Sequence, residues 1–357
     1  GVDGGTLSVI DERLKVGVYQ VCVHLFQRLG ELDHDNTYYI YSFLPIGEFG
    51  PRMENKVLRP QKGWFTLRLP LELRLHPVDV FLGVSQAIPT GVSRAIGFIY
   101  DLGFLYHPEA YPGSYEKLKK QTEQLVRRSQ RIVTISNSVK SDLQKVYGLS
   151  NEKIAVAHPG VDKRFTKKGK ILIGEFPYFL FVGALKPGKN VPRLIEAFAQ
   201  FLKKEKKLFD LYLVGGDYWL DPHIEVAIKK YKLEKRVKKL GFVPDEKLPD
   251  YYRGAVAFVS PSLHEGFCMP AVEAMACGCP VIGSAQGAMP EIIGEAGLVV
   301  EPTDIDALVR AMQNMAYNAK QRNICVVRGL KQARKYSWDT FAKTVLHEIQ
   351  NVSNRTN

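Results

Sequence analysis

The sequence predicts a doubly wound α/β protein of two domains, on three observations. Its 357 residues exceed what a single hydrophobic core comfortably organises. Short apolar runs rich in Val, Ile, Phe and Tyr alternate with longer segments of helical period, the pattern of parallel strands buried on both faces and joined by crossover helices. A polar stretch from Asp162 to Glu175, carrying Lys163, Arg164, Lys167, Lys168 and Lys170, divides this alternation into two series.

In the first series the expected strands are Leu7–Ile10, Thr37–Phe43, Val78–Leu82, Ala95–Tyr100, Arg131–Ile135 and Lys153–Ala157. Gly1 to Thr6 reads as a loose lead-in. The second series is Tyr178–Val182, Asp210–Val214, Val237–Leu240, Ala255–Ser260, Pro280–Gly283 and Gly297–Val300. Between them, Arg193–Lys204 carries Leu194, Ile195, Phe198, Phe201 and Leu202 on one stripe and starts after Pro192, where a missing N–H costs little. Thr303-x-x-Asp306 reads as an acidic capping box for the helix that follows. The expected domains are residues 1–165 and 172–336, with a final helix, 337–357, returning to the first. Sheets of this class bind ligands outside the carboxyl ends of their strands, so two such sheets would face each other across a ligand cleft.

Composition narrows the function. No run approaches the length of uncharged apolar residues that spans a bilayer, and the start lacks the basic and apolar regions of a signal peptide, so a cytoplasmic protein is expected. Five cysteines, Cys22, Cys268, Cys277, Cys279 and Cys325, are too few for a disulfide scaffold, and Cys277-Gly-Cys279 has the wrong spacing for a zinc site. Reduced cysteines and no metal are expected. The sequons at Asn351 and Asn354 sit in a polar tail. A net charge of +12 favours anionic partners, yet the basic clusters at 117–120, 127–131, 203–207 and 229–239 accompany no nucleic-acid module. They read as solvated helix faces. The alternative is peripheral attraction to an anionic membrane, for which the basic helix Tyr115–Arg131, with Leu118, Leu125 and Val126, is the candidate.

The chemistry concentrates in Glu265-Gly-Phe-Cys-Met-Pro270-Ala-Val-Glu273-Ala-Met-Ala-Cys-Gly-Cys-Pro280. A strand ends at Ser260, a turn contains Gly266, and a helix begins near Pro270. The N–H groups of Phe267, Cys268 and Met269 at its positive end suit a phosphate. Glu265 in the loop and Glu273 in the first helical turn would grip opposite ends of an elongated ligand. Upstream, Phe181-Val-Gly183-Ala-Leu-Lys-Pro-Gly-Lys189-Asn190 ends a strand in a turn that delivers an ammonium, suited to a diphosphate.

These motifs resemble those of glycosyltransferase family 4, retaining enzymes of the GT-B fold, whose signature Glu-Gly-Phe-Gly-x-Pro-x-x-Glu-Ala-Met-Ala-x-Gly-x-Pro-Val is matched except at Cys268. The resemblance implies that Glu265 contacts the donor sugar, Glu273 the ribose hydroxyls and Lys189 the diphosphate. It also implies that main-chain groups of Phe242 and Val243 in Leu240-Gly-Phe-Val-Pro read the nucleobase. Gly188 stands where the family has Arg. In the first domain, Val9–Leu14 followed by Gly17-Val-Tyr19 resembles the glycine-containing loop that approaches donor phosphate and acceptor. Tyr100-Asp101 resembles a family His-Asp, with Tyr100 at the histidine position; a phenol donates a hydrogen bond but does not titrate near neutrality. Ile135–Ser138, His158–Asp162 and Trp338 match family turns and the start of the last helix.

The implied activity is transfer of a hexosyl unit, with retention and without metal or other cofactor, from a nucleoside-diphosphate sugar to a hydroxyl of a glycan or lipid-linked saccharide. GDP-mannose is the favoured donor, with UDP- and dTDP-sugars open. A sugar-nucleotide epimerase on the same architecture and a catalytically inactive binding subunit are the competing readings. A dinucleotide oxidoreductase is disfavoured because no Gly-x-Gly-x-x-Gly follows the first strand.

Overall fold

The computed structural model describes residues 1–15, 17–216 and 220–353; Asn354 of the second sequon lies outside them. The chain groups into two compact units. Unit 1 comprises Gly1–Leu105, Pro112–Gly160 and the chain from Ser337 onward, and unit 2 comprises Tyr106–Tyr111 and Val161–Tyr336.

Unit 1 is built on seven strands: β1 (Val2–Asp3), β2 (Tyr38–Ser42), β3 (Met53–Val57), β4 (Phe81–Gly83), β5 (Ala95–Ile99), β6 (Arg131–Thr134) and β7 (Ile154–Val156). Their spatial order is β3-β2-β1-β4-β5-β6-β7, every pair parallel. Unit 2 has six: β8 (Tyr178–Val182), β9 (Asp210–Val214), β10 (Val237–Gly241), β11 (Ala257–Ser260), β12 (Val281–Ser284) and β13 (Gly297–Val300), ordered β10-β9-β8-β11-β12-β13 and again all parallel. Both are Rossmann-like, with helices between the strands. The connectivity reverses between β1 and β4 in one sheet and between β8 and β11 in the other, and ligands of such sheets bind at these reversals.

The first strand corrects the sequence reading. It is Val2–Asp3, in the middle of the sheet, whereas Leu7–Ile10 is a turn and loop in which Ile10 is 82% exposed. Gly1 to Thr6 is therefore no lead-in. The Gly1 amine donates to Val80 O at 2.8 Å, and a Cβ on Gly4 would stand 2.6 Å from Ile40 Cγ2. Two residues are too short for apolar periodicity to register. β3 was not anticipated at all: it is a half-exposed edge strand, Met-Glu-Asn-Lys-Val, with no buried face to impose alternation. β4 begins three residues and ends one residue later than its expected place at Val78–Leu82.

Helix starts also moved. The helix Val191–Lys204 takes Pro192 into its first turn instead of beginning after it. The cap of the next predicted helix, Ile305–Tyr317, is Asp304, whose Oδ1 accepts the Ala307 N–H at 2.8 Å; the Thr303 hydroxyl turns back to Glu301. The helix Tyr115–Arg128 buries Thr122, Leu125 and Val126 inside unit 1. Leu125 fits because β5 carries Gly97 there: a Cβ at that position would meet Leu125 Cδ2 at 2.5 Å. Leu125 and Val126 are thus committed to the core, while Leu118, the third apolar residue of this helix, is half-buried.

The last helix, Trp338–Ser353, packs on the helix Val18–Leu32 and on β5, β6 and β7. Nearly buried Glu348 on it is ion-paired with Arg131 of β6, one of the residues read from sequence as a solvated cluster. All five cysteines are free and buried. No helix among the described residues is long and apolar enough to cross a membrane.

Candidate active site

The reversal between β8 and β11 sets the geometry of unit 2. β8 ends at Val182, and Gly183 donates its N–H to Val214 O at 2.9 Å. The neighbouring strand end presses close: a Cβ on Gly215 would lie 1.9 Å from Gly183 O, so this crossing admits only glycine. The chain then makes a single turn, Pro187–Lys189. Asn190 terminates it in the left-handed region, φ 58°, and its buried amide donates to Pro261 O at 3.0 Å and Pro302 O at 2.9 Å. The Leu263 N–H donates to Gly188 O at 3.0 Å. The Lys189 turn and the loop after β11 are in this way stitched together at adjacent strand ends.

Lys189 and Glu265, predicted separately as diphosphate and sugar contacts, form an ion pair, with side chains 20% and 12% exposed. Ser262 Oγ donates to the same carboxylate oxygen at 2.7 Å, and Ser260 lies behind it with Oγ 3.1 Å from Ser262 Oγ. Burial by itself would raise the Glu265 carboxyl, but the ammonium and the Ser262 hydroxyl outweigh it and hold Glu265 below its ordinary value. Glu265 is ionised at neutral pH. Its backbone is clamped as well: the Ala288 N–H donates to Glu265 O at 2.8 Å, and a Cβ on Gly287, φ 61°, would stand 2.4 Å from that oxygen. Ser262 and Gly287 were not singled out in the sequence, and Asn190 stood there only as the end of the Lys189 turn; a lone serine or loop glycine carries no signal of what it will face.

After Glu265 come Gly266, Phe267 and Cys268. Phe267 is buried edge-on against Tyr336, with ring centroids 5.3 Å apart, so only its backbone is available to a ligand. Cys268 caps the helix Met269–Ala276 in the left-handed region, φ 71°. This is the position where the sequence signature has glycine, and the backbone conformation gives the reason. Glu273 falls in the second turn of the helix, not the first. Tyr252 Oη donates to it at 2.9 Å, but desolvation dominates, and with Asp245 adding to it the carboxyl is pushed up to about 7. At the end of β10, Gly241 at φ 66° turns the chain, leaving Phe242 37% exposed and Val243 buried. Tyr106 stacks on His264, next to Glu265, at a centroid distance of 5.1 Å.

The remaining predicted residues lie in unit 1. Gly17, φ 52°, caps the helix Val18–Leu32 and has open space at its Cβ position. Tyr100 is buried and donates its phenolic proton to Val84 O at 2.7 Å. Desolvation first, then Cys22 and Asp3, raise its pKa well above the ordinary phenol value. Asp101 Oδ1 accepts the Gly103 N–H at 3.0 Å.

The matches to known proteins follow the same division. Residues 17–165 match the family described as Glycosyltransferase Family 4, and residues 162–332 match Glycosyl transferases group 1. The chain belongs to glycosyltransferase family 4. Among its curated relatives, O-antigen chain mannosyltransferase B of Escherichia coli is 28% identical over 75% of this chain and 73% of its own length. O-antigen chain mannosyltransferase RfbU of Salmonella typhimurium is 29% identical over 69% and 67%. Of solved structures, sucrose-phosphate synthase from Thermosynechococcus elongatus superposes with a TM-score of 0.81 at 18% identity, covering 99% of both chains. HepE of Anabaena, solved with UDP and glucose, gives 0.75 at 16%, covering 98% of both. These likenesses establish the GT-B fold, and the family membership makes the chain a glycosyltransferase.

Proposed function

We propose that this glycosyltransferase moves a mannosyl unit from GDP-mannose to a hydroxyl of a glycan or lipid-linked saccharide, with retention of configuration and without a metal ion. The observation that carries the reading is the Lys189–Glu265 pair at the β8/β11 reversal, beside the positive end of the Met269–Ala276 helix. A departing nucleoside diphosphate develops negative charge, which an ammonium and a helix N-terminus stabilise without a divalent cation. Lys189 would then be shared between Glu265 and the leaving phosphate. The ionised Glu265 offers fixed negative charge to a sugar that becomes oxocarbenium-like as the bond breaks. The acceptor hydroxyl would attack on the leaving-group side and give its proton to the departing phosphate. Main-chain groups of Phe242 and Val243 would read the base, and Glu273 would accept from the ribose hydroxyls. The mannosyl assignment is supported by the two O-antigen mannosyltransferase relatives, at 28% and 29% identity.

A thermal-shift screen of the full chain against GDP, UDP, dTDP and their sugars tests the donor. The largest stabilisation is expected with GDP and GDP-mannose, and a response to uridine nucleotides alone would reverse the assignment. With the acceptor in hand, EDTA should leave turnover unchanged and the product should carry the donor's anomeric configuration by NMR. A strict metal requirement or an inverted product would refute this chemistry. Donor incubated without acceptor should yield no isomerised sugar, which separates transfer from epimerisation.

A further inference from the structure

Next to Lys189 the same loop carries a second lysine. Lys186 precedes Pro187, which restricts it to extended backbone, φ −90° and ψ 160°. Its carbonyl accepts the Lys189 N–H at 3.0 Å and so closes the turn. On the other side Leu185 is buried, and its carbonyl accepts the Asp221 N–H at 2.7 Å. The backbone under Lys186 is therefore fixed from both sides, and its half-buried side chain is the part free to rotate.

Unit 2 takes one segment, Tyr106–Tyr111, from the first half of the chain, and this segment lies along the loop. At one end Tyr106 stacks on His264, beside Glu265. At the other the Lys186 ammonium stands over the Tyr111 ring, 5.8 Å from its centroid. Between them Ala110 covers Gly188, where a Cβ would meet Ala110 Cβ at 3.9 Å. Tyr111 is thus held against the loop by contacts besides its own. A ring face attracts an ammonium without cancelling its charge, as a carboxylate would.

Charge says what Lys186 can do there. Lys189 is paired with Glu265, so those two charges sum to nothing. A diphosphate brings several negative charges, which a helix end alone answers only in part. The Lys186 charge also reaches Glu265. Against desolvation, Lys189 first, then Ser262 and then Lys186 hold that carboxyl below its ordinary value. Lys186 therefore lies toward the sugar side of the site, where the leaving phosphate gains its charge.

We propose that Lys186 is a second diphosphate-binding residue, held over Tyr111 and drawn onto the phosphate next to the sugar when a nucleotide sugar binds. This rests on the nucleoside-diphosphate reading above and adds to it a cation which that reading does not use. Tyr111 acts through Lys186 as a positioning residue.

The full chain is titrated by calorimetry with GDP, UDP and the two monophosphates. For whichever diphosphate binds the wild type, Lys186→Gln should lower affinity about tenfold, and the matching monophosphate should lose no more than about threefold. Lys186→Arg keeps the charge and should stay within about threefold of the wild type. Tyr111→Phe keeps the ring and should bind as the wild type does, whereas Tyr111→Ala should lose about threefold. All four variants should keep the wild-type circular dichroism. A Lys186→Gln protein that binds the diphosphate as tightly as the wild type overturns the proposal. So does an equal loss for the monophosphate, or an arginine variant as weak as the glutamine one. A Tyr111→Ala protein with wild-type affinity overturns the positioning role. Each of these results leaves the nucleoside-diphosphate reading standing. That reading falls, and the proposal with it, if neither diphosphate binds the wild type.

Discussion

Glu265 and Lys189 illustrate what a single contact decides. Because the carboxylate is held ionised by the ammonium and by Ser262, removing either partner changes the other. Glu265→Ala is expected to abolish transfer while leaving the Lys189 ammonium in place for nucleotide, so turnover falls by about a thousandfold or more and nucleotide affinity changes little. Lys189→Ala removes the cation and leaves a buried carboxylate without it, so nucleoside-diphosphate affinity should fall by about tenfold to a hundredfold by calorimetry. Near-wild-type turnover in the first variant, or unchanged affinity in the second, would remove these residues from their roles. Cys268 makes a separate test of backbone strain. At φ 71° a side chain is disfavoured whatever its chemistry, so Cys268→Gly should be more stable to urea than Cys268→Ala by about 1 kcal/mol. The reverse order is normal elsewhere in a helix.

Glu273 adds a pH dependence of definite sign. Its carboxyl is raised to about 7, above the ordinary carboxylate value that the unfolded chain would have. Between those values the folded state holds the proton and the unfolded state does not, so this residue makes stability decline as pH rises through the window. The same ionisation creates the charged acceptor proposed for the ribose hydroxyls. Nucleotide should therefore bind more tightly as pH rises from about 6 to 8, and Glu273→Gln should flatten both trends. A wild-type affinity independent of pH would argue against the ribose role.

Among the elements, the loops at the β8/β11 reversal owe their geometry to glycines and one asparagine, not to their charged residues. Gly215 lets β9 end against Gly183, Asn190 ties two loops to one amide, and Gly287 packs onto the Glu265 carbonyl. Gly287→Ala would place a Cβ against that carbonyl at a positive φ, displacing Glu265 by a fraction of an ångström or more. We expect kcat to fall at least tenfold with nucleotide binding retained, because small misplacements of a group beside the reacting centre are costly. Unchanged kcat would mean that this clamp does not position Glu265. Unit 2 was legible at this scale because strands such as Tyr178–Val182, Asp210–Val214 and Gly297–Val300 are continuous apolar runs between clear helical segments. β1 and β3 were not: one is two residues long and the other lies on a polar edge, so neither imprints a period on the sequence.

Over the whole molecule, the chain's return to unit 1 depends on Arg131 and Glu348, which are 217 residues apart. Both are largely buried, so removing one leaves the other as an uncompensated charge. Arg131→Ala should destabilise unit 1 by about 3 kcal/mol in urea, and Glu348→Gln by less, since a neutral amide tolerates burial better. Equal and negligible effects would show the pair to be solvated in solution. Gly160 has the same long-range dependence: a Cβ there would stand 2.2 Å from the Trp338 N, so the return of the last helix requires glycine at the point where the chain leaves unit 1.

The sequence alone determined the two Rossmann-like halves, the glycosyltransferase family and the principal charged residues of unit 2, because burial on both faces of a strand and tight turns restrict residue type locally. The tertiary structure decided that Lys189 and Glu265 share a salt bridge, that the Tyr100 hydroxyl donates a hydrogen bond to Val84 O, and that the strand nearest the start lies inside its sheet, between β2 and β4. It also sank Leu125 and Val126 of the basic helix into the core and left Leu118 half-buried. Each of these depends on which residues meet across long separations, and a period read along the chain holds no record of that.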